Sequence, residues 1–260
     1  MSAEATAREP RLRSLRADLH IHTALSPCAS EQMTPPAIVQ AALVKGVEVI
    51  AICDHNAAGN VGAVQRAAET AGGELTVFPG MEIMSEEEVH VVGLFPDLPT
   101  AESVAKRLRA LLPEADPGYY AFFGDQPLLA ADGREVGRET ATLAAAVPLD
   151  LNDTVKLVHD HGGLAIAAHV DRRSFSVYSQ LGFFPRDAGF DAIEVSRHTD
   201  AASPRMEEFS SLGLPVVGSS DGHFLEELGA GASIIRVLEP TFAELSLALA
   251  GVDGRSVARA

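Results

Sequence analysis

Short, unbroken apolar runs recur along this chain and alternate with helix-like stretches. VEVIAI (47–52), LAIAAH (164–169), DAIEV (191–195) and LPVVG (214–218) are too short for helices and are bounded by glycine, proline or polar clusters. Runs of that kind are strands buried on both faces, and such strands need helices packed on either side of the sheet. PPAIVQAALVKG (35–46) supplies one helix. Pro35 and Pro36 suit its start, Ile38, Val39, Ala42 and Leu43 form its apolar stripe, and Gly46 ends it. Further helices are predicted near 61–71, 101–112, 153–161, 204–212 and 241–250, with strands at ELTVF (74–78), EVHVVGLF (88–95) and SIIRVL (233–238). Repeated strand–helix units imply a single α/β domain around a parallel sheet. Two stretches, 113–139 and 171–190, have no clear period. They read as irregular lid insertions, and they carry Tyr119, Tyr120, Phe122, Phe123, Phe175, Tyr178, Phe183, Phe184 and Phe190.

With 47% apolar residues the chain is globular, and no apolar run approaches the roughly 20 residues of a membrane span. Residues 1–16 hold Arg8, Arg11, Arg13 and Arg16 without an apolar segment, so they read as a flexible leader and not a secretory signal, leaving 17–260 as the folded domain. The formal charge of −16 argues against a membrane partner and against strong binding of polymeric nucleic acid, but does not exclude a small phosphorylated substrate. Bound divalent cations would reverse the field locally. The two cysteines, Cys28 and Cys53, form no C-x-x-C, which fits a reducing cytoplasm.

Polar residues gather where the strands end. DLHIHTALSPCAS (18–30) places His20 and His22 two apart, on one face of a strand, so that two imidazoles can reach one divalent ion. Alone, such a pair is equally a surface strand with two solvated histidines. Asp54 and His55, Glu82, His90, His169, His198, and Asp221 with His223 then repeat the placement, which leaves only His159 and His161 of the nine histidines elsewhere, in the last turn of a helix. That distribution points to a metal site at the C-terminal rim of a β/α barrel. Asp18 and Asp54, adjoining the site residues, are expected to orient imidazoles. Glu86, Glu87 and Glu88 read as a solvated turn.

DLHIHT, CDHN, GMEI followed by EVH, AAH and SSDGH resemble, in this order, the motifs of the PHP (polymerase and histidinol phosphatase) family, over residues 17 to about 223. The resemblance implies a distorted seven-stranded β/α barrel that holds two or three divalent ions (zinc, manganese or iron) and hydrolyses phosphate esters; independently, a carboxylate bridging two ions can hold a hydroxide between them for in-line attack on phosphorus. By motif, His20, His22, Glu82 and Asp221 would hold the first ion, Glu82, His90 and His169 the second, and His55 and His223 the third. The remaining third-site ligand of the family falls here at Pro27 and Cys28. A proline cannot ligate; a Cys28 thiolate can, and would favour zinc or another thiophilic ion, unless it is only a small packed side chain.

Arg172, Arg173 and Arg197 follow metal-bearing strands and are candidates for forked phosphate contacts, with at least one expected in solvent. His198 is a candidate acid for the leaving oxygen. An amidohydrolase-type barrel also opens with H-x-H, but it uses a strand-end lysine, and Lys45, Lys106 and Lys156 all lie on predicted helices. The reading is therefore a phosphomonoesterase acting on a nucleotide or bisphosphate. A histidinol-phosphate-type phosphatase, a short-oligonucleotide exonuclease and a non-catalytic metal-binding regulatory module are the alternatives.

Overall fold

The computed structural model describes residues 11–200 and 202–260. Strand β1 (Arg13–Ile21) crosses through helix α1 (Pro35–Val44) to β2 (Val49–Ile52), and α2 (Val61–Thr70) leads to β3 (Thr76–Met84); these three strands are parallel. β4 (His90–Leu94) returns antiparallel to β3, because the connection at 85–89 is far too short for the crossover that a parallel strand needs. Helices α3 (Leu98–Arg109) and α4 (Pro117–Phe123), the hairpin β5 (Pro127–Leu129) and β6 (Glu135–Arg138), and α5 (Leu151–Asp160) precede β7 (Leu164–Ala167), which is antiparallel to β4. α6 (Val177–Leu181), β8 (Ala192–Ser196), α7 (Pro204–Ser210) and β9 (Val216–Ser219) restore the parallel pattern. β10 (Ser233–Val237), α8 (Phe242–Leu249) and β11 (Ser256–Arg259) complete the chain. No helix among the described residues is long and apolar enough to cross a membrane.

The main sheet has nine strands in the order β11-β10-β1-β2-β3-β4-β7-β8-β9, not the seven expected, and it nearly closes. The free edge of β1 is shared. Its first half, Arg13–Ala17, pairs antiparallel with β10. Its second half meets the segment after β9, where the His22 N–H donates to the Gly222 carbonyl (3.0 Å) and the Gly222 N–H to the His20 carbonyl (3.3 Å). Asp18 fastens this seam by accepting from the Ser220 (2.9 Å) and Gly229 (2.6 Å) N–H groups.

Side-chain alternation divides the core in two. Val49 and Ala51 join Leu15, Leu19, Val92, Ile166 and Val217 in one cluster, whereas Ile50 and Ile52 face the helices with Ile38, Val39, Val64 and Val104. The strand-end rim lies above these layers.

Two expected boundaries move. The leader does not run to residue 16, since Arg13–Arg16 are in β1; residues 1–10 of that expectation lie outside the described residues. The 113–139 stretch is not irregular throughout. It holds α4 and the β5–β6 hairpin, and Tyr119 anchors it by donating to Gln126 Oε1 (2.8 Å) and accepting from the Ala144 N–H (3.0 Å). The 171–190 stretch holds α6, started by reciprocal Ser176–Ser179 bonds, and a short 3-10 turn at 186–188.

At Gly218, inside β9, a Cβ would run into the Gly231 carbonyl oxygen and lie 2.7 Å from Arg259 Cγ. Gly218→Ala is expected to lose about 1–3 kcal/mol of stability, read from the urea midpoint of the metal-free protein. An unchanged midpoint would mean that β9 is not tightly packed against Gly231 and Arg259.

Candidate metal centre

Each site residue stands where a strand ends or bends toward the rim. His20 and His22 leave β1 on one face, and their Nε2 atoms are 3.2 Å apart. Their tautomers follow from their neighbours. His20 Nδ1 lies 3.0 Å from a carboxylate oxygen of Glu194, an acceptor, so Nδ1 carries the proton. His22 Nδ1 faces Ser26 Oγ at 2.9 Å, and that hydroxyl spends its only proton on Asp54 Oδ1 (2.7 Å), so His22 also donates from Nδ1. Two imidazole lone pairs then point at one another. Either an extra proton or a cation must lie at that meeting point. His20 is held well above the ordinary imidazole range: burial opposes its charge, but Glu194, Glu82 and Asp221 outweigh it. His22 is pushed well below, by burial and by His223.

Glu82, in β3 and 1% exposed, sits at the centre. Its Oε1 is 2.7 Å from His90 Nδ1, 3.1 Å from His169 Nε2 and 3.5 Å from His20 Nε2. Its Oε2 is 3.0 Å from His55 Nδ1 and 3.4 Å from His22 Nε2. Burial would push this carboxyl up, but His90, His20 and His55 hold it well below the usual range, so it is ionised. Asp221 behaves alike, with His20 and His22 overcoming its burial, and its Oδ1 lies 3.1 Å from His22 Nε2. Burial lowers His90 to about 4, so at neutral pH it is neutral and faces Glu82 only as a hydrogen-bond donor, and the charges that keep Glu82 ionised there are those of His20 and His55.

Three donor sets converge closely enough to hold an ion: His20, His22, Glu82 and Asp221; His55, Glu82 and His90; and His22, His55 and His223. Buried His90 Nε2 and His169 Nδ1 make no hydrogen bond within the described residues, and His55 Nδ1, although 3.0 Å from Glu82 Oε2, is not aligned to donate to it. Orphaned buried nitrogens of this kind around an ionised carboxylate fit divalent cations. His169 and Asp221 both take left-handed backbone, at φ 29° and 47°, a conformation that strains a non-glycine residue and collects at functional sites.

Cys28 is exposed, yet its Sγ turns inward to 3.2 Å from His55 Nε2. Burial of the sulfur raises its pKa, and bonds from His223 and His55 more than offset this, bringing the thiol to about 6.

The arginines separate. Arg172 reaches into the centre, with Nη1 2.6 Å from Asp221 Oδ2. Arg173 is exposed. Arg197 is committed elsewhere, donating to the Ser220 carbonyl (2.7 Å) and Glu227 (2.6 Å). His198 is exposed and lines a separate cavity of about 780 Å³ with Thr199, Met206 and Arg259, outside the cluster. Asp18 and Asp54 do not orient imidazoles directly as expected. Asp18 bonds backbone at the seam, and Asp54 accepts from Thr23 and Ser26. The acidic turn is only partly solvated, since Glu87 accepts from Ser85 Oγ and the Leu151 N–H. Glu194, which does orient His20, was missed. Its signal was an acid inside the apolar run DAIEV, where a buried charge needs a partner.

The PHP domain family profile matches residues 18–198. The chain belongs to the PHP domain family. It is a metal-dependent hydrolase of the phosphoesterase kind. Over 232 residues it is 25% identical to the 5'-3' exoribonuclease Rnm of Escherichia coli (strain K12), covering 73% of this chain and 78% of that protein. Its fold is similar to a lesion-specific endonuclease from Pyrococcus furiosus, with a TM-score of 0.69 and 19% identity over 94% of this chain. It spans only 58% of that endonuclease's length. It is similar as well to endonuclease Q in complex with a 27-mer duplex substrate carrying an abasic lesion at the active site, at a TM-score of 0.68 and 18% identity over 94% of this chain and 58% of that one.

Two outcomes test the geometry. Glu194→Gln is expected to weaken metal binding roughly 10- to 100-fold, measured by titration against a competing chelator, because the carboxylate sets the His20 tautomer and basicity. In metal-stripped protein, Cys28 alkylation is expected to rise through pH about 6 and to level off by pH 8. An ordinary thiol would still be climbing there, and Cys53, whose pKa burial pushes up, would not react.

Proposed function

We propose that this chain hydrolyses phosphodiester bonds in nucleic acid, acting from an end of a single strand. The carrying observation is the buried Glu82 carboxylate with imidazoles against both oxygens, which fits a bridge between two cations. His20, His22, Glu82 and Asp221 would hold the first ion and Glu82, His90 and His169 the second. His55, His223 and the Cys28 thiolate would hold a third, for which zinc or another thiophilic ion is favoured. When bound, the ions supply charge for the phosphate oxygens and acidify the attacking water. The protein's own contribution is positional. Glu194 and Ser26 fix the ring tautomers, burial excludes bulk water, and Arg172 carries further N–H donors for a phosphate beside the one on Asp221.

This replaces the expectation of a small phosphorylated substrate with little affinity for polymers. The relatives and fold neighbours are an exoribonuclease and endonucleases, one seen with a duplex. Net charge misled because it averages the whole surface, whereas phosphate meets only the local field. Exonucleolytic action on RNA is favoured over lesion-directed cleavage because sequence likeness runs to the exoribonuclease, of which this chain spans 78%, against 58% of the endonuclease. Arg197 and His198 have no part in this reading.

The test uses end-labelled single-stranded RNA, single-stranded DNA and duplex, with manganese, zinc or iron(II) added to stripped protein. Metal-dependent release of nucleotides from RNA is expected, with Glu82→Gln losing bound metal and cleavage together. Turnover confined to sugar phosphates or histidinol phosphate, or full activity in Glu82→Gln, would overturn it.

A further inference from the structure

The turn after β7, residues 169–176, carries more than its metal-site histidine. Phe175 holds left-handed backbone at φ 59°. For a bulky aromatic residue that is a true outlier, kept only where the surroundings impose it. Here the His90 N–H donates to the Phe175 carbonyl (2.9 Å), and the Phe175 ring lies flat on the His90 imidazole, with centroids 4.8 Å apart and planes 12° from parallel. Ser176 caps α6 directly afterwards, so the turn is fixed at both ends. Yet Phe175 remains 38% exposed.

Phe183 of this stretch is exposed as well (61%) but is not stacked on a site imidazole, and the other aromatics behave differently. Tyr178, Phe184 and Phe190 pack on one another or on Phe209, as ordinary core does. Phe175 is instead held against a site imidazole with area left open at the rim. Three residues earlier, Arg172 points its guanidinium at Asp221 from the same turn. One short segment thus offers an aromatic face and a forked cation beside the same carboxylate–imidazole cage.

We infer that this turn recognises a nucleotide: Phe175 stacks the base of the residue adjoining the scissile phosphate, while Arg172 donates to that phosphate. The inference rests on the nucleic-acid reading above and names its substrate-binding element. Stacking on an aromatic face tolerates any base, which suits an enzyme that must pass along a strand of arbitrary sequence.

The test compares metal-loaded wild type with Phe175→Ala, Phe175→Leu and Phe175→Trp on oligonucleotides that differ only in having a base or an abasic residue at the terminal nucleotide. Phe175→Ala is expected to raise KM for the base-bearing strand roughly 5- to 150-fold more than for the abasic strand. Trp should restore the difference; Leu, with bulk but no π face, should not. Equal losses on both strands, or no loss, would make Phe175 a prop for His90 and overturn the inference. A binding arm separates this from the catalytic reading: quenching of a terminal 2-aminopurine is expected with wild type and not with Phe175→Ala. Phe175-dependent quenching without strand cleavage would sink the nuclease and keep the stacking site. Absent quenching with wild type, or quenching that persists in Phe175→Ala, would sink the stacking site.

Discussion

A carboxylate buried as deeply as Glu82 is tolerable only if its charge is met on every side, because an isolated ion taken from water loses several kcal/mol even after relaxation. The structure meets it with imidazoles drawn from the ends of β1, β2 and β7 and from the start of β4. No two of those histidines come from one local segment except His20 and His22. The charge at the centre is therefore met only when the barrel brings these strand ends together. Fold and site are one electrostatic problem.

Closure in turn depends on a residue that never touches the centre. Asp18 holds the Ser220 and Gly229 N–H groups, which fixes the segment running out of β9 against β1. Asp221 is next in that segment and is strained at φ 47°, so its carboxylate reaches His22 only while the seam is tied. Ser26 acts in the same way at a smaller scale. One hydroxyl accepts from His22 and from the His55 N–H and donates to Asp54, so three parts of the rim share a single fully used group. Substitutions at Asp18 or Ser26 act on the site through position, without removing a donor from it.

The α/β architecture and the strand-end clustering were legible because both are periodic. Buried strands show as continuous apolar runs, and donor residues stand just beyond them, at His55, His169 and Asp221. What failed was long-range. Strand direction at β4 follows from loop length, which was readable, but the sharing of the β1 edge between β10 and Gly222 depends on register between segments some 200 positions apart. Arg197 and His198 show the same limit. They follow a site-bearing strand as Arg172 does, yet Arg172 stands on the turn beyond β7 and points to Asp221, whereas Arg197 comes directly after β8 and points to Glu227. Spacing identifies which residues reach the rim, not which way the rim loops then turn. Glu194 was readable in principle, since an acid in a buried strand must be paired, although its partner could not be named.

The acidic charge contradicts the proposed action on nucleic acid only if all charges are counted alike. Of the −16 formal charge, Asp18, Asp54, Glu82, Glu194 and Asp221 are all buried and contribute to the site or its seam. They would serve as ligands, or as supports of ligands, for cations that would reverse the sign of the field where phosphate arrives. Exposed carboxylates elsewhere are screened over about 8 Å at physiological ionic strength, so those on distant faces do not reach the rim. What a strand approaching the site would meet is Arg172, Arg173, the Phe175 face and the loaded donor cage. Exposed carboxylates on other faces would oppose a strand that approaches there. That favours engagement of a free end at the rim over wrapping along the body of the protein, which is the geometry an end-directed nuclease needs.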